Sequence, residues 1–293
     1  NSETAFLILL WRLNHYESYQ RIAQQNIFHQ SMSTLSVIFN YMIRYILERY
    51  RHCVVGNLLW YAPRFQDYNF AINRYLVSSP NNYAPPGQLP NDCIDLVGFI
   101  DGSALKIARP SDEPLQNVMW NGHYFQHQII NQGITFPDGM VVLESDVGYV
   151  NDAIVWNRSV SLQNMIQINQ ARANDNLPPW KLYGDKIYRS GNCIRGAYAE
   201  RDGPRDPICL QANQLRGSAR VCVEWAFNTI KTKNASLLNW KTNQVLRSPI
   251  RGHFEVATLL NNMRTISQWS QTNTHFMMKP PGTLETYLNQ PVV

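Results

Sequence analysis

The sequence lacks the features of a zinc-binding, disulfide-rich or membrane-spanning protein. Its five cysteines form no C-x-x-C pair and have no zinc-site spacing, so we expect reduced, mostly buried thiols. The opening apolar run, residues 6–11, is too short to span a bilayer and lacks the flanks of a signal peptide. No internal repeat or low-complexity segment is present. These absences predict an intracellular globular protein that has no membrane span.

Acidic residues are scarce in the C-terminal part of the chain. From Trp225 onward only Glu255 and Glu285 accompany seven Lys and Arg residues, and the whole chain carries a formal net charge of +5. A basic C-terminal segment favours a polyanionic partner. A solvated charged face would give the same charge count, so charge alone leaves both interpretations open. The chain begins at Asn1 rather than Met, and we expect a further segment before it.

Residues 1–58 show helical periodicity and no strand signal. Ser31 is a good N-cap, and apolar residues after it recur at helical spacing through residue 50. Two helices, a turn and a third helix that opens with Ser33 and Thr34 form a possible helix-turn-helix, whose later helix would enter a major groove. Any small helical bundle gives the same periodicity, so the pattern does not decide between the two.

The rest of the chain predicts a mixed α/β domain. Residues 59–92 are rich in Pro and Asn and predict a connector with little regular structure. Strands follow at 96–107, 127–135, 140–147 and 182–188, a turn at 137–139, and helices at 151–169 and 215–232. This order is typical of a ribonuclease H-like fold, a mixed sheet flanked by helices, over residues 93–270. Residues 271–293 form a C-terminal tail.

Three carboxylates stand at chemically useful places in these elements. Asp101 and Asp185 lie on or beside predicted neighbouring strands, and Glu224 lies on the long helix. Two Mg²⁺ ions can neutralise both the attacking and the leaving oxygen of a phosphodiester, and magnesium prefers oxygen ligands. Gly102 and Gly184 predict room for a DNA backbone. Each carboxylate taken singly has an ordinary structural explanation, a turn or a solvated helix face.

The long helix combines a polar and an apolar stripe. Arg220, Glu224 and Lys231 recur on one face with Asn228, beside an apolar stripe that would pack on the sheet. The glutamate would then lie at the border of core and solvent, with cations on both sides. Arg220, Lys231 and the nearby Lys233 are therefore candidate phosphate contacts.

Four ordered motifs resemble the DDE-type transposases of the PIF/Harbinger superfamily. They are GFIDGS at 98–103, NGHY at 121–124, LYGDKIY at 182–188 and VCVEWAF at 221–227. The resemblance covers residues 95–266. The run from SYQRI at 18–22 to STLSVIF at 33–39 looks like the helix-turn-helix segment of that family, which makes Arg21, Ser33 and Thr34 candidate DNA contacts.

The resemblance implies a cut-and-paste transposase. It implies that Asp101, Asp185 and Glu224 are catalytic and bind two Mg²⁺ or Mn²⁺ ions. Hydrolysis would free a 3′ hydroxyl at the element's end, and that hydroxyl would then attack target DNA. Terminal inverted repeats and target DNA would be the partners of a homodimer or larger assembly in the nucleus, with a Myb-like accessory protein.

The chain departs from the family pattern before the 151–169 helix. Asn151-Asp152 stands where the family carries His-Asp, and Asp152 is either a supporting carboxylate of the site or a helix N-cap. Two rival functions remain open. One is a host-recruited DNA-binding or scaffold protein without catalysis, which gives no reason to cluster three like charges. The other is a nuclease that performs no strand transfer.

Overall fold

The computed structural model describes residues 1–85, 87–199 and 206–291. It has a mixed α/β architecture, in which one sheet is flanked by helices, as the sequence predicts at this coarse level. Pro86 of the predicted connector and the last two residues of the predicted tail lie outside the described residues. Within the described ranges, no helix is long and apolar enough to cross a membrane.

Three helices form the N-terminal part, namely α1 (Ser2–Asn14), α2 (Tyr19–Gln24) and α3 (Met32–Tyr50). The predicted N-cap of the third is confirmed, because the Ser31 hydroxyl accepts a hydrogen bond from the Thr34 N–H at 3.2 Å. Leu35, Phe39 and Ile43 are buried on one face of α3 at helical spacing. Phe39 and Ile43 belong to the same hydrophobic core as strand residues of the sheet. The helical nature of this segment is confirmed, while its role as a helix-turn-helix stays a prediction.

The expectation of little regular structure over residues 59–92 is wrong for the first part of that segment. Helix α4 (Leu58–Tyr61) and helix α5 (Phe65–Ser78) occupy it, and α5 packs on the sheet. Pro63 lies in a short 3-10 turn before α5, and the other prolines follow the helix. The prolines therefore bracket a helix instead of interrupting it, and the buried apolar positions of α5 supply the stabilisation.

The sheet contains six strands among the described residues. They are β1 (Leu96–Lys106), β2 (Trp120–Asn121), β3 (Gln126–Thr135), β4 (Val141–Val147), β5 (Lys181–Gly184) and β6 (Ile194–Gly196). β3 pairs antiparallel with β1, with β2 and with β4, whereas β5 runs parallel to β1 and to β6. The first three predicted strands are confirmed as β1, β3 and β4, with ends shifted by at most one residue, and the fourth is shorter than predicted.

The predicted turn between β3 and β4 is confirmed. Gly139 has a φ of +78°, a backbone conformation that favours glycine, and its N–H donates to the Phe136 carbonyl at 2.9 Å. The neighbouring Asp138 is fully buried, where its carboxylate accepts hydrogen bonds from Arg64 at 2.7 Å and from the Tyr68 hydroxyl at 2.6 Å. The turn is therefore fixed to α5 as well as to the hairpin.

Seven further α-helices lie among the described residues after β1. They are α6 (Glu113–Met119), α7 (Asp152–Arg158), α8 (Val160–Asn174), α9 (Pro207–Lys233), α10 (Ile250–Ser267), α11 (Gln271–Phe276) and α12 (Leu284–Leu288). The single helix predicted at 151–169 is two helices, because Ser159 caps the second by accepting from the Leu162 N–H. The predicted helix 215–232 begins earlier, at Pro207, and Asp206 is its N-cap.

Helix α9 packs closely on the sheet and is held there by its apolar stripe. Val223, Phe227 and Ile230 are buried, as predicted. Gly133 of β3 gives room for this approach, since a Cβ there would lie 2.7 Å from the Phe227 ring. Residues of the predicted C-terminal tail also enter the core, because Phe276 and Tyr287 are buried. The helix that carries the predicted glutamate is thus fixed against the strand that carries the first aspartate.

Candidate catalytic site

Asp101 lies near the middle of β1, just past the point where β1 stops pairing with β5. Its Oδ1 accepts a hydrogen bond from the Gly102 N–H at 2.9 Å, and its side chain is 21% exposed. Burial raises the pKa of the Asp101 carboxyl; the nearby Arg220 acts against this rise, and Asp185 adds to it. The aspartate is therefore a partly buried anion beside a second anion, as expected for a cation-binding position.

Arg220 connects Asp101 with Glu224. Its Nη1 donates to Asp101 Oδ2 at 2.5 Å, and its Nη2 donates to Glu224 Oε1 at 3.1 Å. Burial lowers the pKa of the Arg220 guanidinium, but Asp101 and Glu224 outweigh it and leave that pKa raised. Arg220 and Glu224, which are four residues apart on α9, are in contact, as expected for two members of the predicted polar stripe. In this arrangement a guanidinium supplies the positive charge between the two carboxylates.

Asp185 follows the last residue of β5, on the strand next to β1, as predicted. Its Oδ1 accepts from the Ile187 N–H at 2.9 Å, and its backbone carbonyl accepts from the Tyr188 N–H at 3.2 Å. These bonds fix the turn that holds the carboxylate. The charge of Asp185 reaches Asp101, Asp152 and Arg220, because it shifts the pKa of each of these groups.

Asp152 is a further carboxylate of this site. Asn151, not Asp152, is the N-cap of α7, and the Asp152 side chain lies directly over Gly102, where a Cβ would meet its Oδ1 at 2.0 Å. Burial, with the charges of Asp101 and Asp185 acting in the same direction, raises the pKa of the Asp152 carboxyl to about 6. Of the two sequence interpretations of Asp152, the N-cap is therefore wrong. The sequence signal for Asp152 was an acidic residue at the start of a predicted helix. That signal does not tell whether the side chain caps the helix or points into the site.

The buried side chain of Gln132 bonds to the backbone of Asp152 and also to the buried hydroxyl of Tyr188. Gln132 on β3 donates from its Nε2 to the Asp152 carbonyl at 2.7 Å and to the Tyr188 hydroxyl at 2.9 Å. Burial raises the pKa of Tyr188 well above its usual value, and the charge of Asp152 adds to that rise. The start of α7 is thereby tied to β3 and to the turn after β5. Gln132 and Tyr188 were not predicted, because nothing in the local sequence marks them.

The predicted role of Gly102 and Gly184 is corrected by their surroundings. The space above Gly102 holds the Asp152 carboxyl group, and a Cβ at Gly184 would meet Tyr188 Cδ2 at 2.4 Å. Both glycines therefore make room for protein atoms of the site, not for a DNA backbone.

The donor types fit a hard divalent cation, although the carboxylates do not converge fully in this arrangement. No group of three or more His, Cys, Asp or Glu side chains within the described ranges is placed so that it could hold a metal ion. Glu224 is 55% exposed and reaches Asp101 through Arg220. The charge of Asp185 nevertheless raises the pKa of Asp101, and the charges of Asp101 and Asp185 both raise the pKa of Asp152, so negative charge is concentrated here. Oxygen donors in such a field are the ligands that Mg²⁺ and Mn²⁺ prefer.

The three predicted phosphate contacts on α9 have different surroundings. Arg220 is engaged by Asp101 and Glu224. Lys231 donates from Nζ to the Ala104 carbonyl of β1 at 3.0 Å, and burial lowers its pKa. Lys233 is exposed at the end of α9 and lines a cavity of about 290 Å³ with Arg264. Only the last of them therefore projects freely from the helix.

The predicted contacts of the N-terminal helices are on the surface. Arg21 is exposed and pairs with Glu17 at 3.2 Å. Ser33 is exposed and Thr34 partly exposed in the first turn of α3, where both hydroxyls lie 2.9 Å from the Ser31 hydroxyl. Their accessibility is compatible with a DNA contact, and the contact itself stays a prediction.

Comparison with known proteins identifies one family. Residues 100–262, more than half of the chain, match the family described as DDE superfamily endonuclease. The matched range contains Asp101, Asp152, Asp185 and Glu224. No curated protein and no solved structure matches the chain.

Proposed function

This chain belongs to the DDE superfamily endonucleases, and on that premise we propose that it cleaves DNA with divalent metal ions held at Asp101 and Asp185. The observation that carries the proposal is that Asp101 and Asp185 stand on or beside neighbouring strands where β5 ends, with Asp152 close enough for both charges to raise its pKa, inside the matched range. Nuclease chemistry follows from the family, and the metal ligands are our assignment.

We propose Glu224 as the third ligand. Glu224 is linked to Asp101 through a single residue, because Arg220 donates a hydrogen bond to each of them. When bound, two divalent ions would neutralise charge at the attacking and leaving oxygens of the phosphodiester. Asp101, Asp185 and Glu224 would hold Mg²⁺ or Mn²⁺, and Arg220 would turn one or both of its donors to a phosphate oxygen. Gln132 and Tyr188 would keep Asp152 in place beside the reacting strand.

The finer proposal is cut-and-paste transposition of the PIF/Harbinger kind. Water would attack phosphorus and break the P–O3′ bond, and the freed 3′ hydroxyl would then displace a 3′ oxygen in target DNA. The four ordered motifs and a mixed sheet, in which a β1–β3–β4 meander is followed by parallel β5 and β6, support this proposal, which includes a ribonuclease H-like fold. It includes DNA contacts at Lys231, Lys233, Arg21, Ser33 and Thr34, a nuclear location, an assembly of at least two copies and a Myb-like accessory protein.

The test is cleavage of a duplex that carries the terminal inverted repeats flanking the coding region, in Mg²⁺. Loss of a metal ligand should lower the cleavage rate more than loss of a residue that only hydrogen-bonds to a ligand. We therefore expect Asp185→Asn to cut at least about 100-fold more slowly than the parent. Asp175→Asn, an exposed aspartate after α8, is the matched control and should cut normally. Equal rates for Asp185→Asn and the parent would show that the ligand assignment is wrong.

Two further measurements separate the rival functions. A scaffold without catalysis should show no Mg²⁺ binding at the carboxylates by calorimetry, whereas the proposed enzyme should lose most of its Mg²⁺ binding in Asp101→Asn. A nuclease without strand transfer should cut the repeats but yield no joined product when a second DNA is added.

A further inference from the structure

Four cations and one tryptophan form an exposed surface at the far end of β1, away from Asp101. We call it the basic surface; its residues are Lys106, Arg109, Trp240, Lys241 and Arg247, and all five are exposed. None of them belongs to the catalytic site or to the DNA contacts proposed above. Lys231, which donates to the β1 carbonyl of Ala104, lies between Asp101 and this surface along the strand.

The side chains of the basic surface are arranged around two features. Lys106 Nζ lies 4.7 Å and Lys241 Nζ lies 5.8 Å from the Trp240 ring centroid, so both ammonium groups contact the same indole. Arg109 and Arg247 line one cavity of about 220 Å³ together with Ser111. Two arginines and a serine around one cavity are residue types that bind phosphate oxygens.

The backbone beneath the basic surface is held in place. The Ala108 N–H donates to the Asn243 carbonyl at 2.9 Å, and Asn243 Nδ2 donates to the Lys106 carbonyl at 3.2 Å. Arg12 of α1 donates to the Thr242 hydroxyl at 3.2 Å. Because β1 and the 240–247 segment are bonded to each other, the backbone positions that carry the cations are fixed relative to one another, and binding need not order these backbone segments.

The positive charge of the basic surface is not neutralised within the described part of the chain. None of its four cations forms an ion pair there, and Arg109 and Arg247 donate only to the neutral amides of Gln116 and Gln244. The acidic residues next along the chain are Asp112, which caps α6, and Glu113. Such a cluster of unpaired cations favours a polyanion of regular charge spacing.

We propose that the basic surface binds the phosphate backbone of the DNA that flanks the cleavage point, which rests on the proposed function. Lys106 is five residues beyond Asp101 on β1, a separation of about 17 Å at the rise of a strand. Since each strand of B-DNA advances 3.4 Å per nucleotide, this length corresponds to about five nucleotides. Because the two residues are an odd number of positions apart, the Lys106 side chain leaves the opposite face of β1 from that of Asp101. For DNA that runs parallel to β1, the contacted phosphates are therefore about five nucleotides from the cut.

The first test is DNA binding in metal-free buffer, measured by fluorescence anisotropy against salt concentration on a duplex of arbitrary sequence. The double variant Arg109→Gln with Arg247→Gln should lower the slope of log affinity against log salt by about 2, because each phosphate contact contributes about 0.9. Lys241→Gln should lower it by about 1. Lys279→Gln removes one exposed charge elsewhere and should leave the slope unchanged. The double variant Arg109→Lys with Arg247→Lys keeps both charges and should retain most of the slope.

The second test is cleavage in Mg²⁺ of two duplexes, one long and one that ends about two base pairs beyond the cut. The double glutamine variant should raise the KM of the long duplex only and leave kcat unchanged. If the parent cuts DNA and the glutamine variant has the parental slope of log affinity against log salt, the proposed DNA contact of the basic surface is wrong and the proposed function stands. If the parent does not cut and the slope still falls, the proposed function fails and the surface stands. Poly-glutamate that binds the parent as tightly as DNA would overturn the choice of DNA.

Discussion

At the level of single residues, the contact between Gly102 and Asp152 is the closest constraint in the site. The carboxyl group lies where a side chain at residue 102 would begin, so the pair fixes how near α7 comes to β1. The same carboxyl is close enough to Asp101 and Asp185 for their charges to raise its pKa. One glycine therefore controls the distance between a third carboxylate and the two proposed metal ligands.

We expect Gly102→Ala to destabilise the protein by about 1–3 kcal/mol, as overpacking of a crowded position does. Its Cβ would lie 2.0 Å from Asp152 Oδ1 and 2.2 Å from Cγ, so α7 or the side chain must move. Urea denaturation measures this loss. Gly217→Ala, in the interior of α9 with no atom within 4 Å of its new Cβ, should instead stabilise by about 0.5–1 kcal/mol. The prediction fails if both alanine variants change the free energy of unfolding in the same direction.

The sequence supplies the candidate site residues as a prediction, but it does not supply their contacts. Asp101, Asp185 and Glu224 stand at recognisable places in strand and helix patterns, and the first two do lie on or beside neighbouring strands. The bridge that Arg220 makes between Asp101 and Glu224 joins residues 119 positions apart in the chain. Such a contact depends on tertiary packing. The local spacing could therefore place Arg220 on the polar face of the helix but could not predict its partner Asp101.

At the level of elements, α10 joins the N-terminal helices to the rest of the protein. His253 on α10 packs edge-on against Phe39 of α3, with ring centroids 4.9 Å apart, and its Nε2 lies 3.0 Å from the Ser248 hydroxyl. Two residues along the helix, Glu255 accepts two hydrogen bonds from Arg51, each at 2.9 Å. Burial lowers the pKa of the His253 imidazole to about 3, and the charge of Arg12 acts in the same direction.

This contact predicts acid-sensitive docking of α3 on α10. In the folded protein His253 stays neutral down to about pH 3, while the unfolded chain takes up a proton below pH 6.5. The contribution of His253 is therefore complete above pH 6.5 and is lost as pH falls. Relative to His253→Gln, the parent should lose about 1.4 kcal/mol of unfolding free energy per pH unit below that point.

The measurement is urea denaturation of both proteins from pH 7.5 to pH 4.5. The difference between the curves is the informative quantity, because Asp138, whose pKa burial raises to about 6, titrates in both proteins and cancels. His123→Gln, at an exposed imidazole, is the matched control and should run parallel to the parent. Parallel curves for the parent and His253→Gln would contradict the prediction.

Elements with strong periodicity were predictable, and those decided by packing or by short length were not. The strands β1 and β4 begin with short apolar stretches, and a Pro-Asp-Gly turn marks the β3–β4 hairpin, so these three strands were located closely. β6 has only three residues, too few for a pattern. The early start of α9 had a usable signal, since Asp206-Pro207 places a cap before a proline at the first helical position. Helix α5 was missed because proline density on both sides outweighed its apolar face.

At the scale of the whole molecule, the formal net charge of +5 conceals two opposite fields. Asp101, Asp152 and Asp185 concentrate negative charge at one position on the sheet. The basic surface concentrates positive charge at the far end of β1. A protein of this design would attract a divalent cation and a nucleic-acid backbone to adjacent places, and the binding of either one adds to global stability.

Mg²⁺ should therefore raise the melting temperature of the parent, and Arg220→Gln should respond more strongly than the parent. The ion pairs of Asp101 and Glu224 within the described residues are both with Arg220, so its loss leaves two carboxylates without their cation. We expect that variant to melt below the parent in EDTA and to gain more from Mg²⁺, since the ion no longer competes with a guanidinium. At 100 times its Kd, Mg²⁺ would stabilise either protein by about 2.7 kcal/mol.

Asp185→Asn should gain less than the parent, and K⁺ at equal ionic strength controls for screening. Equal Mg²⁺ responses in all three proteins would contradict a metal site at these carboxylates.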